Sequence, residues 1–62
     1  KNTYCDGVSA AFRYNRTKNT WQGRVICRAH NRIIWTETIP IHRITFQDAM
    51  IDATQRVYEL TR

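Results

Sequence analysis

The hydrophobic period changes once along this chain, from two residues to about 3.6, and that change sets the order of its elements. In VSAAFRY, Val8, Ala10, Phe12 and Tyr14 alternate with Ser9, Ala11 and Arg13. A polar turn, Asn-Arg-Thr-Lys-Asn, follows at 15–19. In WQGRVICR, Trp21, Gly23, Val25 and Cys27 alternate with Gln22, Arg24, Ile26 and Arg28. After Ala-His-Asn comes RIIWTETI, where Ile33 and Trp35 alternate with Arg32, Ile34 and Thr36. Each segment reads as a half-buried strand. From Phe46 the period lengthens. Phe46, Ala49, Met50, Ala53, Val57 and Leu60 fall on one face of a helix. Thr45 is its expected N-cap, with Asp48 three residues on and Arg62 at the end suiting the helix dipole. Asp52 and Arg56 are expected to pair at i, i+4 on its wet side.

The expected fold class is therefore α+β, a three-stranded antiparallel sheet packed on one C-terminal helix (β-β-β-α). Residues 1–62 read as a single domain, with strands about 8–14, 20–28 and 32–38 and a helix about 46–61. The helix would cover one sheet face and leave the other wet. Sixty-two residues lie near the lower limit at which a core forms without staples.

Strand register decides what the wet face carries. If Val25 faces Ala10 and Trp35, then Val8, Ala10, Phe12, Trp21, Val25, Cys27, Ile33 and Trp35 point at the helix. Ser9, Ala11, Arg13, Gln22, Arg24, Ile26, Arg28, Arg32, Ile34 and Thr36 then share the open face. A tight two-residue turn at His30-Asn31 would shift the third strand by one and place Ile33 and Trp35 among the arginines. The first register is preferred, because so small a domain can ill spare Trp35 from its core.

Charge points the same way. Ten basic residues, eight of them Arg, stand against five acidic ones, for a net +5. Residues 1–36 hold seven basic side chains against Asp6, whereas residues 37–62 carry a net −1. Such asymmetry implies a polyanion met by one side of the molecule. Arginine suits that role, because its planar fork meets phosphate, or guanine O6 and N7, with two parallel hydrogen bonds. Like charges opposite one another across strands cost stability, so a cluster of this kind needs a reason.

Other classes find less support. No apolar run of about 18 residues is present, so no membrane partner is expected. No charged leader with an apolar region opens the chain, and the missing initiator Met points to a processed or trimmed one. Asn15-Arg16-Thr17 forms a glycosylation sequon of a kind common by chance. Asp6, Glu37, Asp48, Asp52 and Glu59 are scattered, and neither His30 nor His42 has a partner to orient it as a base, so no catalytic residue is expected. Cys5, Cys27, His30 and His42 suffice in number for zinc, but only Cys27 and His30 have ligand-like spacing, so no metal or other cofactor is expected. Cys27 reads as a small core hydrophobe. Cys5 falls three residues beyond Val8, the expected partner of Cys27, or roughly 10 Å at ~3.3 Å per residue. A disulfide between them is therefore not expected, and a reduced setting follows, cytoplasmic or nucleoid-associated.

Several short motifs carry a resemblance. Tyr4-Cys5-Asp6-Gly7-Val8 resembles a Tyr-x-Gly-Val opening, with Asp6 as an extra residue. Thr20-Trp21-Gln22-Gly23-Arg24-Val25 resembles a second-strand Lys-Trp-x-Ala-x-Ile. Arg32-Ile33-Ile34-Trp35 resembles a third-strand Arg-x-Trp, and Thr45-Phe46-Gln47-Asp48-Ala49 a Thr-x-x-x-Ala helix start. Together they are similar to the β-β-β-α DNA-binding domains of the AP2 group and the arm-type-site-binding N-terminal domains of phage and transposon integrases. In such domains sheet arginines read the major groove. The resemblance implies Arg13, Arg24, Arg28 and Arg32 as groove contacts, with Arg16 and Lys18 on phosphates. Gln22, from the same face, joins the nucleic-acid-binding set. Double-stranded DNA is the expected partner, with RNA not excluded, in a mobile element, phage or regulatory system. Residues 45–49, with Tyr58 and Leu60, also resemble the helix of HicB-type antitoxins. That implies the alternative of a small protein-binding module, antitoxin-like or a phage-encoded inhibitor of a host protein.

Overall fold

The computed structural model describes residues 6–61. Three antiparallel strands precede one helix: β1 (Gly7–Asn15), β2 (Thr20–Ala29), β3 (Arg32–Thr38) and α1 (Phe46–Leu60). The sheet order is β1-β2-β3, so β2 is central. This is the β-β-β-α architecture that the change of period predicts. Tyr4, Cys5 and Arg62, which figured in the sequence reading, lie outside the described residues.

Each turn has a local cause. Between β1 and β2, Asn15 Oδ1 accepts from the Lys18 amide at 3.0 Å, and Asn19 takes a positive φ of 54°. The Tyr14 hydroxyl donates to Asn19 Oδ1 and ties the turn to the strand. Between β2 and β3 only His30 and Asn31 intervene, at φ 54° and 63°. Two successive positive φ values give the primed turn whose twist matches a hairpin. Asp6 Oδ2 accepts from the His30 amide at 3.0 Å and steadies that turn.

The β1–β2 register places Ala10 opposite Val25, as the alternation requires. Between β2 and β3 neither sequence-derived register holds along the whole strand. The tight turn at His30-Asn31 forms, pairing Ala29 with Arg32 and Arg28 with Ile33. A bulge then skips Ile34, so Trp35 pairs with Cys27, and Glu37 rather than Trp35 opposes Val25. The extra residue restores the phase that the short turn had shifted. Trp35 consequently stays on the helix side, while Ile33 joins the open face and is 56% exposed. Arg32 moves the other way, opposite the buried Ala29 on the helix side.

Beyond β3 the chain returns to the edge of β2. The Ile39 amide donates to the Gly23 carbonyl at 2.9 Å, and Trp21 and Arg43 exchange backbone hydrogen bonds at 2.7 and 2.8 Å. From there Thr45 caps α1, its hydroxyl accepting from the Asp48 amide at 3.3 Å. The helix lies over β1 and β2. Its buried Ala49 and Ala53 meet the sheet where β2 has Gly23. A Cβ at Gly23 would stand 2.6 Å from the Ala49 carbonyl oxygen and 3.0 Å from the Ala53 amide nitrogen. Absence of a side chain therefore sets the distance between helix and sheet. Val25 and Cys27 are fully buried beside this contact, with Ala29 and Ile39 nearly so.

Two expectations about side chains are overturned. Asp52 and Arg56 do not pair with each other. Arg43 reaches Asp52 with two hydrogen bonds, 2.7 and 2.9 Å, while Arg56 reaches Glu37 at 2.9 and 3.3 Å and Glu59 at 3.2 Å. Tertiary partners on the 39–43 segment and β3 displace the i, i+4 pair. Cys27 is buried as expected, but it is disulfide-bonded rather than a free thiol. The chain's other cysteine is Cys5. β1 begins at Gly7 and Asp6 is a bend, so the spacing of an extended strand does not carry back past Gly7.

Candidate nucleic-acid interface

Strand alternation fixes which side chains share the open face. β1 supplies Ser9, Ala11 and Arg13, β2 supplies Gln22, Arg24, Ile26 and Arg28, and β3 supplies Ile33, Thr36 and Thr38. Arg24 stands between Ala11 and Thr38, and Arg28 between Gly7 and Ile33. Arg13 opposes Gln22. No arginine lies directly opposite another. Each faces a small or uncharged neighbour, which removes the cross-strand repulsion that such a cluster threatens.

Arg24 is the best-held member. Its Nη2 donates to Thr36 Oγ1 at 3.2 Å, on the diagonal from its own partner Thr38. Its Nε is buried without a hydrogen-bond partner. Arg24 and Arg28 are four residues apart on β2, roughly 13 Å at ~3.3 Å per residue. That matches the ~12 Å width of a B-DNA major groove. Arg13 and Arg28 are exposed, and Arg16 and Lys18 project from the β1–β2 turn. Among the described residues, none of these four basic side chains nor Arg24 is in an ion pair.

The carboxylates are elsewhere. Asp6 sits at the second turn, Glu37 faces the helix side, and Asp48, Asp52 and Glu59 are on α1. The Arg43 hydrogen bonds hold the Asp52 carboxyl below its usual pKa, against an opposing effect of partial burial. Arg43 and Arg56 are in turn raised above the ordinary arginine value, first by their hydrogen bonds to Asp52 and Glu37. Arg43 and Arg56 thus join the helix to its surroundings. The first-half arginines of the face are left for another partner.

Not every residue of the sequence-derived set joins this face. Arg32 is exposed at the far hairpin but points to the helix side. Gln22 is only 8% exposed, and its Nε2 donates to the Ile39 carbonyl at 3.3 Å, so it closes the sheet edge instead of presenting its amide. Ile33, which sequence reasoning sent to the core, belongs to the face. Its signal was the two-residue loop itself, legible only if His30 and Asn31 are assigned positive φ. With Ile26 it gives the arginines an apolar neighbour. Among the described residues no group of three or more His, Cys, Asp or Glu is placed to hold a metal ion. No described helix is long and apolar enough to cross a membrane. Comparisons with protein-family models, with curated proteins and with solved structures return no match.

Proposed function

We propose that this chain binds double-stranded DNA through the open face of its sheet. The observation that carries the reading is a carboxylate-free face bearing Arg13, Arg24 and Arg28, none opposite another, bordered by Arg16 and Lys18. A twisted three-stranded sheet fits the major groove, where Arg24 and Arg28 meet guanine edges or flanking phosphates. Arg16 and Lys18 fix the register by charge, without sequence information. Ile33 offers apolar contact to thymine methyl groups. Arg32 lies on the other side of the sheet, and Gln22, though on this side, is buried against the Ile39 carbonyl, so neither is among the proposed contacts. The cytoplasmic or nucleoid setting is not carried into the proposal either, because a disulfide-bonded Cys27 belongs to oxidising surroundings.

The test is fluorescence anisotropy of a labelled random duplex, titrated with the oxidised chain at two salt concentrations. Expected is micromolar binding that weakens steeply with salt. Arg28→Ala should lower the salt slope by about one. No binding at low salt refutes the reading. One observation favours a second reading, a protein partner: Ile33 and Ile34 are large, apolar and open to water. That interface would lose much less affinity with salt.

A further inference from the structure

The β1–β2 hairpin runs past the start of α1, and its helix side is left half covered. Phe46, the first residue of α1, packs on Phe12 and Trp21 with ring centroids 5.4 and 5.8 Å apart. Beyond it the strands continue through Tyr14, whose ring lies 5.0 Å from Trp21. Phe12, Tyr14 and Phe46 are each 41–47% exposed, and Ile44, two residues before the helix, is 80% exposed. Large aromatic side chains present 150–250 Å² each, so the three rings leave on the order of 200–300 Å² of mostly apolar surface in water. Arg16 and Lys18 project from the turn that closes this end. The carboxylates of the first half of α1 are Asp48, in its first turn, and Asp52, which Arg43 holds.

The rings pack edge-on or tilted, at interplanar angles of 38–70°. In such packing ring faces are spent on neighbouring rings, so the cluster is a poor platform for stacked bases. A second copy is disfavoured by its own Arg16 and Lys18. An exposed apolar cluster that includes the amphipathic ring of Tyr14, beside cationic side chains, does match the boundary of an anionic bilayer, where rings enter the interface and basic groups meet phosphates. The absence of a crossing helix bears on spanning and not on lying at a surface. We propose that the hairpin tip, Phe12, Tyr14, Ile44 and Phe46 with Arg16 and Lys18, docks on anionic lipid bilayers. This surface shares Arg16 and Lys18 with the border of the open sheet face but takes its apolar part from the helix side, and the inference does not rest on DNA binding.

The probe is vesicles of phosphatidylcholine containing about 30% phosphatidylserine, compared with pure phosphatidylcholine, with the full oxidised chain and low salt. The chain should sediment with the anionic vesicles and not the neutral ones, with a blue shift of tryptophan emission. Arg16→Gln and Lys18→Gln should each weaken partitioning about five-fold, and together about 25-fold. Ile44→Asn should weaken it too, without altering far-UV circular dichroism, because that side chain packs little. The double variant Arg24→Gln/Arg28→Gln should lose duplex affinity yet keep most of its vesicle binding. The proposal is overturned by absence of anionic-vesicle binding, or by an open-face variant that weakens it as much as the tip pair. An emission shift produced by a single-stranded oligonucleotide but not by vesicles overturns it as well.

Discussion

The two faces of this sheet are made from alternate residues of the same strands, yet they are held by opposite means. The covered face has small residues at its centre, Gly23 on β2 against Ala49 and Ala53 on α1, and is fixed by close approach. The open face has long cationic side chains separated by Ala11, Gly7 and Thr38, and is fixed by little beyond the strands themselves. The lesson concerns where stability and function can be separated. Substitutions on one face should unfold the molecule, and substitutions on the other should change only what it binds.

Gly23 gives the sharpest contrast. Gly23→Val drives a branched side chain into helix backbone, and overpacking of this kind costs about 1–3 kcal/mol or more. A core of this size supplies roughly 3–5 kcal/mol in all, so loss of a cooperative urea transition is expected. A normal transition in that variant would erase the distinction between the faces. Reduction of the Cys27 disulfide ranks next, with about 2–4 kcal/mol expected from the lost constraint on the unfolded chain. Thermal melts with and without reductant measure it. Equal melting temperatures would remove Cys27 from the supports of the covered face.

A smaller effect separates the helix's flank from its base. Asp52 has a folded-state pKa below its unfolded value of about 3.9, so its contribution is complete above that value. It is lost as pH falls further, through the folded pKa. The wild-type chain should therefore lose stability below about pH 4 more steeply than Asp52→Asn, read from melting temperature against pH. Identical profiles would mean that the Arg43–Asp52 contact is not formed in solution. Least of all should happen on the open face. Arg28→Gln, at an exposed position, should change stability by less than about 0.5 kcal/mol while reducing duplex affinity. Arg24→Gln should change it by about 1 kcal/mol at most, since only its Thr36 hydrogen bond is lost. Melting of either variant would show that the face serves the fold and would sink the DNA proposal.

The parts legible in sequence were those that depend on period. Alternation of Val8, Ala10 and Phe12, and of Val25 and Cys27, gives the β1–β2 register, and the 3.6-residue spacing from Phe46 gives the helix. Thr45 announced its cap. The third strand was harder, because two irregularities of one residue each combine there. His30-Asn31 lacks the glycine that usually marks a primed turn, and nothing in Ile33-Ile34 advertises a bulge. Of the site, Arg13, Arg24 and Arg28 were placed by alternation alone. Arg32 was misplaced, and the burial of Gln22 on its expected side was missed, because the turn that rotates Arg32 and the 39–43 segment that covers Gln22 act over a distance that periodicity does not measure. The tertiary partners of Arg43 and Arg56 were invisible for the same reason.

The skipped Ile34 gives the third strand two independently phased halves. Pairing Ile34 with Cys27 in place of the bulge would carry Trp35 out opposite Ile26 and leave a hole over Cys27. Loss of Ile34 itself would keep Trp35 on Cys27, so a one-residue change at the hairpin end is absorbed at the bulge. Side chains at the hairpin end can therefore be exchanged, and the surface offered to a partner redrawn, without resetting the frame of the buried half. Variation that would scramble an unbroken strand is confined here to three or four positions.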